Sequence, residues 1–327
     1  MQRRALHRLL TAAACGALAG PLALPLTAHA QDRAPLRVLV GFPPGGSVDA
    51  VARLLADRLR PLLDQTVLVE NRPGAAGRLV LSEIRRAAPD GNTVVLSPSG
   101  ALVISPWLYK DLGYDPIKDF APIARVATFD FAVTAGPAAP AGDVRAVLAW
   151  MKANPARANY GTSGAGTVPH FTGVLLSQAA GIPMTHVPYK GGAPAVQDLL
   201  GGQIPLMVDT PSETIEHHRT GKLRILAVSG PTRSTVLPEV PTLKESGIDI
   251  SAEAFFGLFG PAGMSAERVK RLSDACAEVL KQPDIQTRIR NLGLVPNYGD
   301  AQQLAETRAS DLRRWERPIK ESGFKAE

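Results

Sequence analysis

Cysteine is nearly absent from this chain. Of the two in 327 residues, Cys15 falls in a leader-like N-terminus and Cys276 stands alone afterwards, so no internal disulfide is possible and the fold must rest on burial. Aromatic residues make up 5% and no Lys/Arg run occurs, which removes the stacking platforms and basic stripes of a nucleic-acid binder. Histidine is scarce too. Beyond the leader there are His170, His186, His217 and His218, the last two adjacent and therefore on different faces, and no Cys/His/carboxylate spacing suits a metal. There is neither a Walker loop nor a G-x-G-x-x-G fingerprint, so no nucleotide or other cofactor is expected. Gly161-Thr162-Ser163-Gly164-Ala165 misses the nucleophile elbow because its last position is Ala.

Charge is also low once the N-terminus is set aside. Arg3, Arg4 and Arg8 precede an apolar run from Leu9 to Leu26, then Ala28-His29-Ala30, the order of a secretory signal peptide cut after Ala30. Gly and Pro interrupt the run, which argues against a spanning anchor; Sec and twin-arginine export both remain open. Without the leader 33 basic residues face 30 acidic ones, a net +3 that mildly favours small anions.

Glycine and proline, 30 and 28 residues, are what the chain has in plenty, and they collect in loops after short strands. Strand Leu36–Val40 runs into 41–47, and Val48, Val51, Ala52, Leu55 and Leu59 then recur at helical spacing with Ser47 as the N-cap. The pattern repeats as strand 66–70, loop 71–77 and helix 79–88, and a third strand, 94–96, ends at loop 97–100. An apolar stretch 123–133 leads to a helix capped by Asp143. The alternation restarts with strand 159–161, loop 161–167, helix 167–180, strand 184–187, loop 188–192, helix 193–200 and strands 205–208 and 223–228. Strand 254–259 and helices 265–281, 284–291 and 300–321 follow, with no further strand expected at the C-terminus. Cys276 falls on the stripe Val269, Leu272, Val279, Leu280 and reads as an inert core thiol.

This length and alternation imply an α/β fold of two lobes, each a mostly parallel sheet flanked by helices. Residues 31–129 with 252–327 would form one lobe and 130–251 the other, the chain crossing twice. Ligands of such sheets sit beyond the strand C-termini, where helix N-termini offer N–H groups and partial positive charge. The candidate binding residues are Phe42, Gly45, Gly46 and Ser47; Ser97, Ser99 and Gly100; Thr162, Ser163, Gly164, Gly166 and Thr167; and His170, Lys190 and Asp209. A carboxylate is the natural guest. Asp209 could accept a bond from a ligand amine or hydroxyl, or cap the turn at Ser212-Glu213. His170 could touch a ligand or simply pack.

The motifs Gly-Phe-Pro-Pro-Gly-Gly-Ser-Val-Asp (41–49), Val-Glu-Asn-Arg-Pro-Gly-Ala-Ala-Gly (69–77), Pro-Asp-Gly-Asn-Thr (89–93), Tyr-Gly-Thr-Ser-Gly-Ala-Gly-Thr (160–167), Val-Pro-Tyr-Lys-Gly (187–191) and Leu-Pro-Glu-Val-Pro-Thr (237–242) resemble those of the Bug-type extracytoplasmic solute receptors of tripartite tricarboxylate transporters. The resemblance implies a monomeric, non-catalytic, two-lobe periplasmic binding protein of the Venus-flytrap type. It would hand a small dicarboxylate, tricarboxylate, amino acid or aromatic acid to integral-membrane permease subunits, holding the carboxylate by main-chain amides, hydroxyls and ordered water. Gly41 stands where that family usually has Pro, and Arg78 where it often has Asn. A more highly charged anion is expected if Arg78 reaches the cleft. Two other readings remain: an exported hydrolase using Ser163 with His170, and a ligand sensor for a membrane signalling partner.

Overall fold

The computed structural model describes residues 34–325; the signal peptide expected over 1–30 lies outside them. The chain runs β1 (Leu36–Val40), α1 (Ser47–Leu63), β2 (Val67–Asn71), α2 (Arg78–Arg85), β3 (Thr93–Pro98), α3 (Gly100–Val103), α4 (Ser105–Leu108), β4 (Phe120–Asp130), β5 (Ala132–Ala135), α5 (Val144–Ala153), β6 (Asn159–Thr162), α6 (Val168–Ala180), β7 (Thr185–Pro188), α7 (Gly192–Leu200), β8 (Leu206–Asp209), α8 (Pro211–Arg219), β9 (Arg224–Val228), β10 (Glu253–Pro261), α9 (Ala266–Lys281), α10 (Pro283–Asn291), β11 (Val295–Gly299) and α11 (Ala301–Ser322).

Two sheets divide these strands. The first has the order β11-β4-β10-β3-β1-β2 and the second β7-β6-β8-β5-β9. Each is mixed where a mostly parallel sheet was expected. The βαβ units β1–β2, β1–β3, β6–β7 and β6–β8 are parallel, as a helical crossover requires. The pairs β10–β3, β10–β4, β11–β4, β5–β8 and β5–β9 are antiparallel, because β4, β5, β9 and β10 are where the chain passes between sheets. The strand β11 corrects the expectation of a purely helical C-terminus; it pairs with β4 at the sheet edge.

The predicted helical stripe of α1 is its buried face, Val51, Ala52, Leu55 and Leu59 all being at most 1% exposed. Its N-cap is Gly46, one residue earlier than expected, which makes Ser47 the first helical residue. Cys276 is buried on α9, and burial pushes its thiol up to about 12. The apolar stretch 123–133 is broken at Phe131, between β4 and β5. There the Phe131 N–H donates to Ser229 Oγ at 2.8 Å and the Ser229 N–H to the Phe131 carbonyl at 2.8 Å. Ser229 Oγ in turn donates to the Ala252 carbonyl at 2.5 Å, and the Ala252 N–H to the Ser229 carbonyl at 2.8 Å. Both passages of the chain between the sheets are thus joined through one buried serine.

Candidate functional site

A cavity of about 370 Å³ lies between the two sets of elements. The first sheet contributes the 42–48 loop and start of α1, the β3–α3 junction at Pro98, Gly100 and Ala101, and the faces of Phe129 and Phe256; Phe131 stands at the passage between sheets. The second sheet contributes Ser163 and 166–169, the 190–194 loop, and Asp209, Thr210 and Glu213. Helices α1, α6, α7 and α8 therefore all start at this cavity, and the first N–H groups of a helix have no intrahelical acceptor. A methyl group placed on Gly100 would lie 3.6 Å from Val168 Cγ2, so the two sides approach closely at the rim.

On the first side the loop that leads into α1 is fixed by Asp49. This buried carboxylate accepts from the Gly45 N–H at 3.0 Å, from Arg53 Nε at 3.0 Å and from Asn71 Nδ2 at 2.9 Å. Burial alone would raise its pKa, but these partners hold it below the usual carboxylate range. Gly45 is left-handed at φ 91°, which turns the chain into Gly46. Ser47 and Val48, the first two residues of α1, line the cavity, where the first N–H groups of a helix have no intrahelical acceptor.

The second side is different, because its central loop satisfies itself. The Ser163 N–H donates to Asp209 Oδ2 at 2.6 Å, the Gly164 N–H to Thr162 Oγ1 at 3.3 Å and the Gly166 N–H to His170 Nδ1 at 3.2 Å. Thr167 is the N-cap of α6, accepting from the His170 N–H at 3.4 Å while its hydroxyl donates to the Gly164 carbonyl at 2.8 Å.

Of the candidate residues, Phe42, Gly45, Gly46, Ser47, Gly100, Ser163, Gly166, Thr167, Lys190 and Asp209 line the cavity. Five do not. Ser97 turns its hydroxyl to the Pro98 carbonyl, and Ser99 is fully buried against the Phe255 N–H. Thr162 bonds His186 Nε2 at 2.7 Å, and the Gly164 carbonyl serves Thr162 and Thr167. His170 is packed away from the cavity: its ring stacks on His186 at 3.9 Å and meets the edge of Phe324, beyond the end of α11, at 4.5 Å. Burial pushes His170 down to about 4 and His186, with His170 beside it, to about 3. Arg78 also stays out of the cavity, its guanidinium lying 3.5 Å over the Tyr109 ring.

The sequence reading missed Glu213 and the phenylalanines other than Phe42, namely Phe129, Phe131 and Phe256. Asp209 is 4% exposed, and Glu213 follows it across the first turn of α8, a helix that was read as a turn. Burial raises the pKa of both carboxyls, and the charge of Asp209 raises that of Glu213 further. The Glu213 carboxyl makes no hydrogen bond or ion pair among the described residues, its backbone N–H donating to the Thr210 carbonyl at 3.1 Å. Its carboxyl packs on the Cα of Gly192, where a Cβ would stand 2.2 Å from Oε2. The signal was present as an apolar strand ending at Asp209 with a second acid four residues on.

The model of the tripartite tricarboxylate transporter family receptor matches residues 51–324. The chain belongs to this family. Protein BugT of Bordetella pertussis is 31% identical over 306 residues, covering 93% of this chain and 94% of BugT. The structure of MatC from Rhodopseudomonas palustris with bound malate superposes with a TM-score of 0.81 at 30% identity, over 87% of this chain and 98% of MatC. R. palustris Rpa4515 with adipate gives 0.84 at 28% identity, over 88% and 97%. The family's members are periplasmic solute-binding receptors, not catalysts, and the two-lobe α/β fold is theirs. The geometry of this tricarboxylate-transporter receptor agrees: His170, the partner a Ser163 nucleophile would need, takes the Gly166 N–H and is sealed under His186 and Phe324. Among the described residues no helix is long and apolar enough to cross a membrane.

Proposed function

We propose that this receptor captures a small carboxylate in the cavity between its sheets and delivers it to membrane permease subunits. Residues 31–129 and 252–327 act as one lobe, 130–251 as the other, and the leader is removed after Ala30; the released protein works as a monomer. The observation that carries the reading is the start of α1 on the cavity wall: Ser47 and Val48 line it beside four phenylalanines, at the helix end whose first N–H groups have no intrahelical acceptor. The malate and adipate held by structures of the same family support it.

A sharp test is Ser47→Pro. Proline is tolerated at the first helical position, so α1 keeps its fold, yet the N–H and the hydroxyl both disappear. Calorimetric titration with a panel of mono-, di- and tricarboxylates and amino acids should show binding to the wild type and a loss of about tenfold or more in the variant. Equal affinity in both proteins would move the carboxylate away from α1.

A further inference from the structure

The wall that the second sheet presents is acidic. Asp209 and Glu213 lie on it together, and the remaining charged residue of the wall, Lys190, is exposed and makes no ion pair with either. Asp209 is at least bonded to the Ser163 and Thr210 N–H groups, at 2.6 and 2.9 Å. The Glu213 carboxyl has no partner among the described residues, although it sits on a helix whose next acid, Glu216, reaches solvent and pairs with Arg219. Space is kept for it, since any side chain at Gly192 would collide with its carboxyl. An unpartnered acid beside a second acid in an apolar enclosure is unfavourable unless something positive or a proton joins it. The rest of the enclosure suits a cation as well: Phe42, Phe129, Phe131 and Phe256 line it, and aromatic faces attract ammonium groups. A second ligand carboxylate would instead make a third negative charge at the same wall.

Building on the carboxylate reading above, we propose that the ligand is a zwitterion, its carboxylate on the first turn of α1 and its cationic amine between Asp209, Glu213 and the phenylalanine faces. Recognition then divides between the two sides of the cavity. The first supplies neutral donors, and the second supplies the counter-charge. Glu213 is the residue that selects against plain dicarboxylates.

The experiment is calorimetry on the mature chain with pairs matched in length, adipate against 6-aminohexanoate and succinate against aspartate or 4-aminobutyrate, in buffers of differing ionisation enthalpy. The amino members should bind about tenfold or more tightly than the diacids. Their binding should release protons, because a cation lowers carboxyl pKa values that burial has raised. In Glu213→Gln the preference for the amino members should shrink by about tenfold, while Glu216→Gln, on the exposed face, leaves it intact. The unliganded Glu213→Gln protein should melt no lower than the wild type, which separates lost recognition from lost folding. Diacids that bind more tightly, or with proton uptake, overturn the zwitterion and leave the carboxylate reading standing. Binding of neither class overturns both, and an unaltered preference in Glu213→Gln removes this residue from recognition.

Discussion

Lowering the pH should weaken folding through the buried histidine pair behind the 161–167 loop. His186 and His170 are stacked at 3.9 Å and buried, so both stay neutral in the folded chain well below the ordinary histidine value. In the unfolded chain each takes a proton near pH 6.5. Stability from their neutral burial is therefore full above pH 6.5 and lost as the pH falls. At pH 5 an unfolded histidine is almost wholly protonated while the folded one is not, a difference of about 2 kcal/mol per residue relative to pH 8. That figure depends on the unfolded value and the assay pH; how far below 5 the folded value lies scarcely alters it. For a chain of this size about 2 kcal/mol corresponds to roughly 3 °C in Tm. Buried acids push the other way, since Asp130, Asp209 and Glu213 all have raised pKa values and weaken folding as the pH rises. The measurement is therefore a difference: the Tm change from pH 8 to pH 5 in the wild type minus that in His186→Gln, which retains a hydrogen-bonding group for Thr162 but does not titrate. The wild type should lose roughly 3 °C more. Parallel pH profiles would refute the neutral, buried pair.

Three further outcomes follow from side-chain placement. Thr167→Ala should lower stability by about 1 kcal/mol, read as a Tm shift without ligand, because it removes the α6 cap as well as a cavity hydroxyl. Phe324→Ala should destabilise by about 1 kcal/mol and raise hydrogen exchange in 161–167, since its ring covers His170 and Phe171. Cys276 should ignore a thiol reagent in the native protein and react fully in guanidinium chloride, its thiol being buried and raised to about 12.

The strand and helix periodicities were legible wherever one face met the core, as along Val48, Val51, Ala52, Leu55 and Leu59. Two elements were not. Helix α8 buries only Pro211, Thr214 and Ile215 and carries Glu213, His217 and His218 besides, so no apolar stripe announced it. Strand β11 contains Pro296, Asn297 and Gly299 and survives at a sheet edge by pairing with β4 alone. At the cavity, backbone-rich loops could be recognised from Gly and Ser, but not which donors they would use on themselves. Thr162, Gly164 and His170 look like ligand groups in one dimension. Only the neighbours His186 and Phe324, distant in sequence, turn them inward. Phe42 was legible from its loop; Phe129, Phe131 and Phe256 were visible as apolar residues, yet a stretch buried on both faces gives no alternation to say which face is the cavity.

Ser229 joins both passages of the chain, holding Phe131 on one and Ala252 on the other. Two independent tethers would let the halves tilt, twist and slide. Tethers stitched side by side behave as a flexure with one easy axis. Under that constraint ligands of different length would bring the halves together along the same arc, so the outer surface would report that the cavity is filled while concealing what fills it. A permease reading such a surface would need no knowledge of the cargo, and selectivity would reside wholly in the receptor.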